Sequence, residues 1–216
     1  NARLNRLACA LPKLAECLLQ AVEAGDICPG MSIVDSLPIM VCSAKRKCKV
    51  ARQWVDKGFC STKNIHYWGA KLHALGYHRP HQLPLPEFLL LTPASENDLT
   101  TLRPLLPQLT NRVVFGDKSY CDRPLNEQLL QQQNSFIYTP VKLVKGQSLQ
   151  NRQFDKAADE LFSTAVSKIR QPIESFFNWL IEHTDIQKAS KARSLNGLFV
   201  HVFGRIAAAM TLWAIF

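Results

Sequence analysis

The sequence predicts an α/β layer fold, with a mixed central sheet of about five strands flanked by helices. Three observations carry that prediction. Short apolar runs of strand length alternate with longer stretches whose apolar residues recur at helical spacing. Their order is helix, three strands, helix, strand, helix, strand and then helices to the end, a mixture that sets helices against a sheet. Of the 216 residues 47% are hydrophobic and 20% charged, which suffices for a sizeable core and excludes a mostly disordered chain.

The elements follow in order. Residues 4–24 place Leu7, Leu11, Leu14, Leu18 and Val22 at helical spacing, and Gly25 with the Cys28-Pro29-Gly30 turn ends the helix. Residues 31–34 form a short buried strand with Asp35 at its tip. A second apolar stretch follows Pro38 and leads into KRKCKVAR at 45–52. Residues 65–75 carry the β-formers Ile65, Tyr67 and Trp68 and read as a strand or hairpin. A strand at 88–92 is closed by Pro93. A helix over 97–109 is cut short by Pro104 and Pro107. The strand at 112–115 runs directly into Gly116-Asp117. Asp122 caps, and Pro124 opens, a helix through Leu130. After a strand at 136–139, the chain is helical from about Asp155, with breaks near Pro172 and over 188–195. The apolar run 206–216 is eleven residues long and holds Thr211. It falls short of the roughly 18 residues of a membrane span and reads as a buried terminal helix.

Charge is unevenly spread. The net charge is +9, and residues 45–81 hold nine Lys and Arg and four of the six histidines against one acid, Asp56. A concentrated basic stretch on a globular body points to a polyanion, DNA or RNA ahead of a membrane surface. A merely solvated basic face is the plainer account. Seven cysteines cannot all pair internally, none lies in a CxxC, and no signal peptide is visible, so reduced thiols in a cytoplasmic protein are expected. Zinc held by Cys48 and Cys60 with two of His66, His73, His78 and His81 lacks finger-like spacing. The chain begins at Asn1 and its first methionine is Met31, so a natural start further upstream is expected. No GxSxG elbow, Walker loop or HExxH occurs.

Three carboxylates stand apart from the rest. Asp35 and Asp117 each follow an apolar strand, where ligands of open α/β sheets bind. Glu174 lies in the apolar stretch IRQPIESFF, expected to face an interior cleft, with Arg170 four residues earlier on the same helix face. Three acids meeting in a cleft repel one another unless cations intervene, and hard divalent ions with oxygen ligands, Mg²⁺ first, fit that need. Two such ions can activate an attacking oxygen and stabilise the leaving oxygen of a phosphodiester. Without further context, turn-capping aspartates and a simple Arg170–Glu174 pair explain the same residues.

The segments SIVDSLPI around Asp35, YWGAKLHALG at 67–76, LLLTPASENDL at 89–99, VVFGDKSY around Asp117 and IRQPIESFF around Glu174 supply that context. In this order, from Met31 to the end, they resemble the DDE transposases of bacterial insertion sequences. The resemblance implies a ribonuclease-H-like catalytic domain over 29–216, with a basic insertion around 41–64 and a helical segment over 1–28 before it. It implies that Asp35, Asp117 and Glu174 are the catalytic, metal-binding acids, holding two Mg²⁺ ions, with Mn²⁺ as a substitute. It further implies cleavage at transposon ends, in which water frees a 3′-hydroxyl that then attacks target DNA, by a bacterial, DNA-associated protein acting as a homodimer away from membranes. Many relatives place a tyrosine three residues before the motif's arginine and a lysine seven after its glutamate, where this chain has Ser167 and Ile181. The expected DNA contacts are Lys45, Arg46, Lys47, Lys49, Arg52, Lys71, Lys118 and Arg170. The 45–52 run is expected on an exposed arm beside the Asp35 end of the cleft. A non-catalytic DNA-binding relative using the basic surface alone is the alternative, and a related nuclease that cleaves without joining strands is a third.

Overall fold

The computed structural model describes residues 2–22, 25–45, 47–141 and 149–215. Six strands, β1 (Met31–Ser43), β2 (Asp56–Cys60), β3 (Ile65–Tyr77), β4 (Leu85–Pro93), β5 (Val113–Phe115) and β6 (Phe136–Tyr138), form one sheet. Its order is β2-β3-β1-β5-β6, and β4 pairs with β3 further along the edge that β2 occupies. β1, β2 and β4 run antiparallel to β3, whereas β1, β5 and β6 are mutually parallel. The expected mixed sheet is present. Its extra strand, β2, lies inside the stretch read as a basic insertion.

Five helices complete the described residues: α1 (Ala2–Ala21), α2 (Asp98–Leu102), α3 (Arg123–Gln133), α4 (Leu149–Thr184) and α5 (Leu195–Ile215). Asn97 caps α2 through Leu99 N–H and Thr100 N–H, and the helix tightens to a 3-10 turn at Arg103–Gln108, where Pro104 and Pro107 were expected to shorten it. Asp122 caps α3, as its position before Pro124 suggested, by accepting from Leu125 N–H. α4 passes through Pro172 without a break in helical assignment, although the proline leaves the Lys168 carbonyl without its usual donor.

β1 corrects the sequence reading most. It continues for eight residues beyond Asp35, through Pro38. The alternation of strand hydrogen bonds explains why proline fits. Met40 exchanges backbone bonds with Gln187 and Ala189 on the edge away from β3, and Pro38, two residues back, turns its nitrogen to that same edge. The missing N–H therefore costs no bond to β3. Close approach of β3 to β1 depends on Gly69, where a Cβ would lie 1.9 Å from the Ile39 carbonyl oxygen.

Two apolar layers flank the sheet. On one face Ile33, Leu37, Ile39 and Val41 of β1 pack with Ile173, Phe176 and Leu180 of α4 and Leu198, Val202 and Ile206 of α5. On the other, Val34 and Leu75 pack with Leu99, Leu102, Leu106, Tyr120 and Leu129. α5 is long and apolar enough by composition to cross a membrane. Here its Leu198, Val202, Ile206, Ala209 and Met210 are wholly buried, in keeping with a core helix. α1 packs along α5, so the segment expected as a separate N-terminal piece rests on this same core. All seven cysteines are unpaired.

Candidate active site

Along β1 the odd-numbered residues Ile33, Leu37, Ile39 and Val41 are buried beneath α4 and α5, and Asp35 falls in that same row. A carboxylate set in an apolar row needs a partner. Arg170 supplies it, its Nη1 donating to Asp35 Oδ2 at 2.5 Å. The Ser36 amide donates to Asp35 Oδ1 at 2.8 Å. Asp35 is thus a mid-strand residue and not a strand tip.

Asp117 reaches the same place by register. β1 and β5 run parallel with Ile33 opposite Phe115, so two residues further along Asp117 comes beside Asp35. Gly116 makes this turn possible, since a Cβ there would lie 2.8 Å from the Tyr120 ring. Asp117 then accepts from the Ser119 amide at 2.8 Å and from the Ser119 hydroxyl.

The third acid comes from α4. Val166, Ile169, Ile173, Phe176, Phe177 and Leu180 form its packed face, and Arg170 and Glu174 lie one turn apart on the flank of that face. Arg170 Nη2 donates to Glu174 Oε1 at 2.6 Å while Nη1 holds Asp35. The Glu174 side chain is 52% exposed, so it sits at the rim and not in the interior cleft expected for it. Arg170 is 16% exposed, and its Nε is buried without a partner.

Burial pushes the Asp35 carboxyl up to about 6. Arg170 and the Ser36 amide oppose that shift, while the charges of Asp117 and Glu174 add to it. The three acids therefore share one electrostatic site. Among the described residues no three His, Cys, Asp or Glu side chains converge as metal ligands. In this arrangement Arg170 is the cation that Asp35 and Glu174 share. The donor chemistry nevertheless suits a hard divalent ion, since all three groups offer carboxylate oxygens and mutual repulsion already raises the proton affinity of Asp35.

The remaining expected contacts fall in two places. Lys45, Lys47, Lys49 and Arg52 are exposed, around buried Cys48 and Ala51, while Arg46 lies outside the described residues. Eight residues of strand, roughly 26 Å, separate Asp35 from the end of β1. The basic run therefore does not lie beside the Asp35 end of the cleft. Lys118 is exposed next to Asp117. Lys71 is 18% exposed and paired to Asp98 at 2.7 Å. Asp98, Ser119 and Tyr120 escaped the sequence reading. Their only signal was position, in SENDL and GDKSY, each beside a turn.

A family model described as transposase DDE domain matches residues 28–211, most of the chain. The chain belongs to that family. This transposase domain also resembles a solved structure titled as the crystal structure of a pre-cleavage Mos1 transpososome, at 14% identity and a TM-score of 0.25. That match covers 98% of this chain and 62% of the other. A comparison with curated proteins finds no match.

Proposed function

We propose that this transposase domain carries out divalent-metal-dependent phosphodiester cleavage at transposon ends and strand transfer into target DNA. The observation that supports the reading is the bridge from Arg170 on α4 to Asp35 on β1 and to Glu174, with the charge of Asp117, at the end of β5, also felt at Asp35. Asp35, Asp117 and Glu174 would hold the metal, with Mg²⁺ favoured by the hardness of their oxygens. When bound, such an ion activates an attacking oxygen and stabilises a leaving one. Arg170 is placed to trade its carboxylates for a phosphate, for which its planar fork is suited. Lys118 stands exposed beside Asp117 for a second phosphate contact. The exposed Lys45, Lys47, Lys49 and Arg52, with Arg46 between them, would follow duplex backbone away from the reacting bond. The site would work in a DNA-associated cytoplasmic protein, as a dimer on its substrate.

The test is cleavage of duplex carrying transposon ends with Mg²⁺ present. Asp117→Ala should abolish it and leave the fold intact, because Asp117 is half-buried and its removal relieves repulsion on Asp35. Cleavage by the variant at the parent rate would sink the assignment.

One observation favours a second reading, a DNA-binding relative without chemistry. Arg170 already occupies two of the three acids, and the described acids do not close around one point. That reading expects duplex binding by the parent protein with no metal-dependent cleavage.

A further inference from the structure

Asp117 is oriented by Ser119, and Ser119 serves two acids. Its hydroxyl oxygen lies within reach of Asp117 Oδ1 and 3.2 Å from Asp98 Oδ2. A serine hydroxyl carries one hydrogen, so only one carboxylate receives it at a time. The other oxygen of Asp98, Oδ1, lies 2.7 Å from Lys71 Nζ, which also donates to the Glu96 carbonyl. Lys71 and Asp98 are each 18% exposed, so their attraction is only partly screened by water. His73 also faces Asp98, its Nδ1 at 3.7 Å, and its Nε2 is hydrogen-bonded to the Thr92 hydroxyl at 2.8 Å. Burial pushes His73 down to about 4, so it is neutral at pH 7 and adds no charge. Lys71 is then the cation that neutralises Asp98.

We infer that Lys71 is a positioning residue for Asp117, acting at one remove. By neutralising Asp98 it weakens that acid's hold on the Ser119 hydrogen and leaves the hydrogen to Asp117. The Asp117 carboxylate is thereby fixed in one orientation from two donors, the Ser119 amide and the Ser119 hydroxyl. This deepens the proposed function and rests on it for the role of Asp117. Lys71 has no need to touch DNA in this arrangement, although its charge in a basic stretch suggested that it would.

The protein with all 216 residues carries the test, read first without metal or DNA. The side-chain carboxyl ¹³C resonance of Asp117 should move in Lys71→Met, where uncompensated Asp98 captures the hydrogen. It should return towards the parent position in Lys71→Met/Asp98→Asn, because a neutral amide no longer competes for it. Mg²⁺ affinity by calorimetry should follow, falling about 10-fold in Lys71→Met and recovering in the double variant. Cleavage should lose kcat in Lys71→Met with KM for DNA unchanged. A Lys71 that binds phosphate would instead raise KM, with no rescue by Asp98→Asn. Should Lys71→Met fail to fold, Lys71→Gln carries the same comparison with a neutral side chain that keeps a donor for the Glu96 carbonyl, and Ser119→Ala tests the relay itself, because it must displace the Asp117 resonance while Asp98→Asn alone leaves it in place. An unmoved Asp117 resonance in Lys71→Met or Ser119→Ala, or a double variant no better than the single, overturns the inference. Carboxyl shifts as expected in a protein that neither binds Mg²⁺ nor cleaves would leave the positioning role standing and remove the catalytic reading.

Discussion

Asp35 concentrates the residue-scale argument. Its carboxyl lies in an apolar row, is pushed up to about 6, and is held by Arg170. A folded-state value above the unfolded one means that the native protein binds the proton more tightly. The associated stability is present below the unfolded value near 3.8 and is lost as pH rises through about 6. Asp35→Asn lacks this dependence. Relative to the parent, the variant should gain stability between pH 4 and pH 7, by at most about 3 kcal/mol. His73, pushed down to about 4, contributes the opposite slope, but it is common to both proteins and cancels in the difference. Urea denaturation of both proteins at the two pH values measures the gap, and a gap independent of pH refutes the argument. The same residue shows what could be read from sequence and what could not. The identities Asp35, Asp117, Glu174 and Arg170 were visible as acids after apolar strands and an acid one helical turn from an arginine. That Arg170 bridges two of them was not visible, because it depends on a helix flank meeting a strand 135 residues away.

At the scale of elements, β1 and the basic loop were the hardest to read. Pro38 and Asp35 both look like strand terminators. The strand survives them because the proline turns its nitrogen to the edge that β3 does not use, and because α4 supplies the aspartate's partner. The loop after β1 is better described as a pinned strap than as a free arm. Cys48 is 5% exposed and Ala51 8%, while the cations between and around them face outward. Pinning keeps Lys45, Lys47 and Lys49 on one stretch of surface, where each can neutralise a phosphate. Each contact contributes about −0.9 to the log–log salt slope. Replacing all three by alanine should weaken binding to any duplex alike and flatten the slope by roughly 2–3. An affinity and slope equal to the parent's would reduce the strap to a solubilising cluster.

For the whole molecule, stability and site share one layer. Phe176 is fully buried, with its ring near those of Phe177, Trp179 and Trp213, and lies two residues beyond Glu174. Phe176→Ala should cost about 3–5 kcal/mol by cavity formation. Because α4 carries Arg170, the same cavity should loosen the hold of that arginine on Asp35. Denaturant midpoints check the first effect, and a wider pH-dependent gap between Phe176→Ala and its Asp35→Asn double variant checks the second, because Arg170 opposes the upward shift of Asp35. A loss of less than about 1 kcal/mol would mean that α4 is not a core helix. The two-layer architecture was legible because strand and helix periodicities differ so sharply. The sharing of one β3 edge by β2 and β4 was not, since each strand alone satisfies the same local pattern.

The separation of Asp35 from Arg170 along the chain also bears on the timing of synthesis. Asp35 and Asp117 leave the ribosome well before Arg170 and Glu174, and 57 residues separate the second acid from the third. At about 5–20 residues per second that interval lasts roughly 3–11 s. Throughout it, the growing chain has two acids and the strands that bear them, but neither the arginine that balances Asp35 nor the third carboxylate. The site therefore cannot assemble until the stretch of α4 that bears Arg170 and Glu174 has been made.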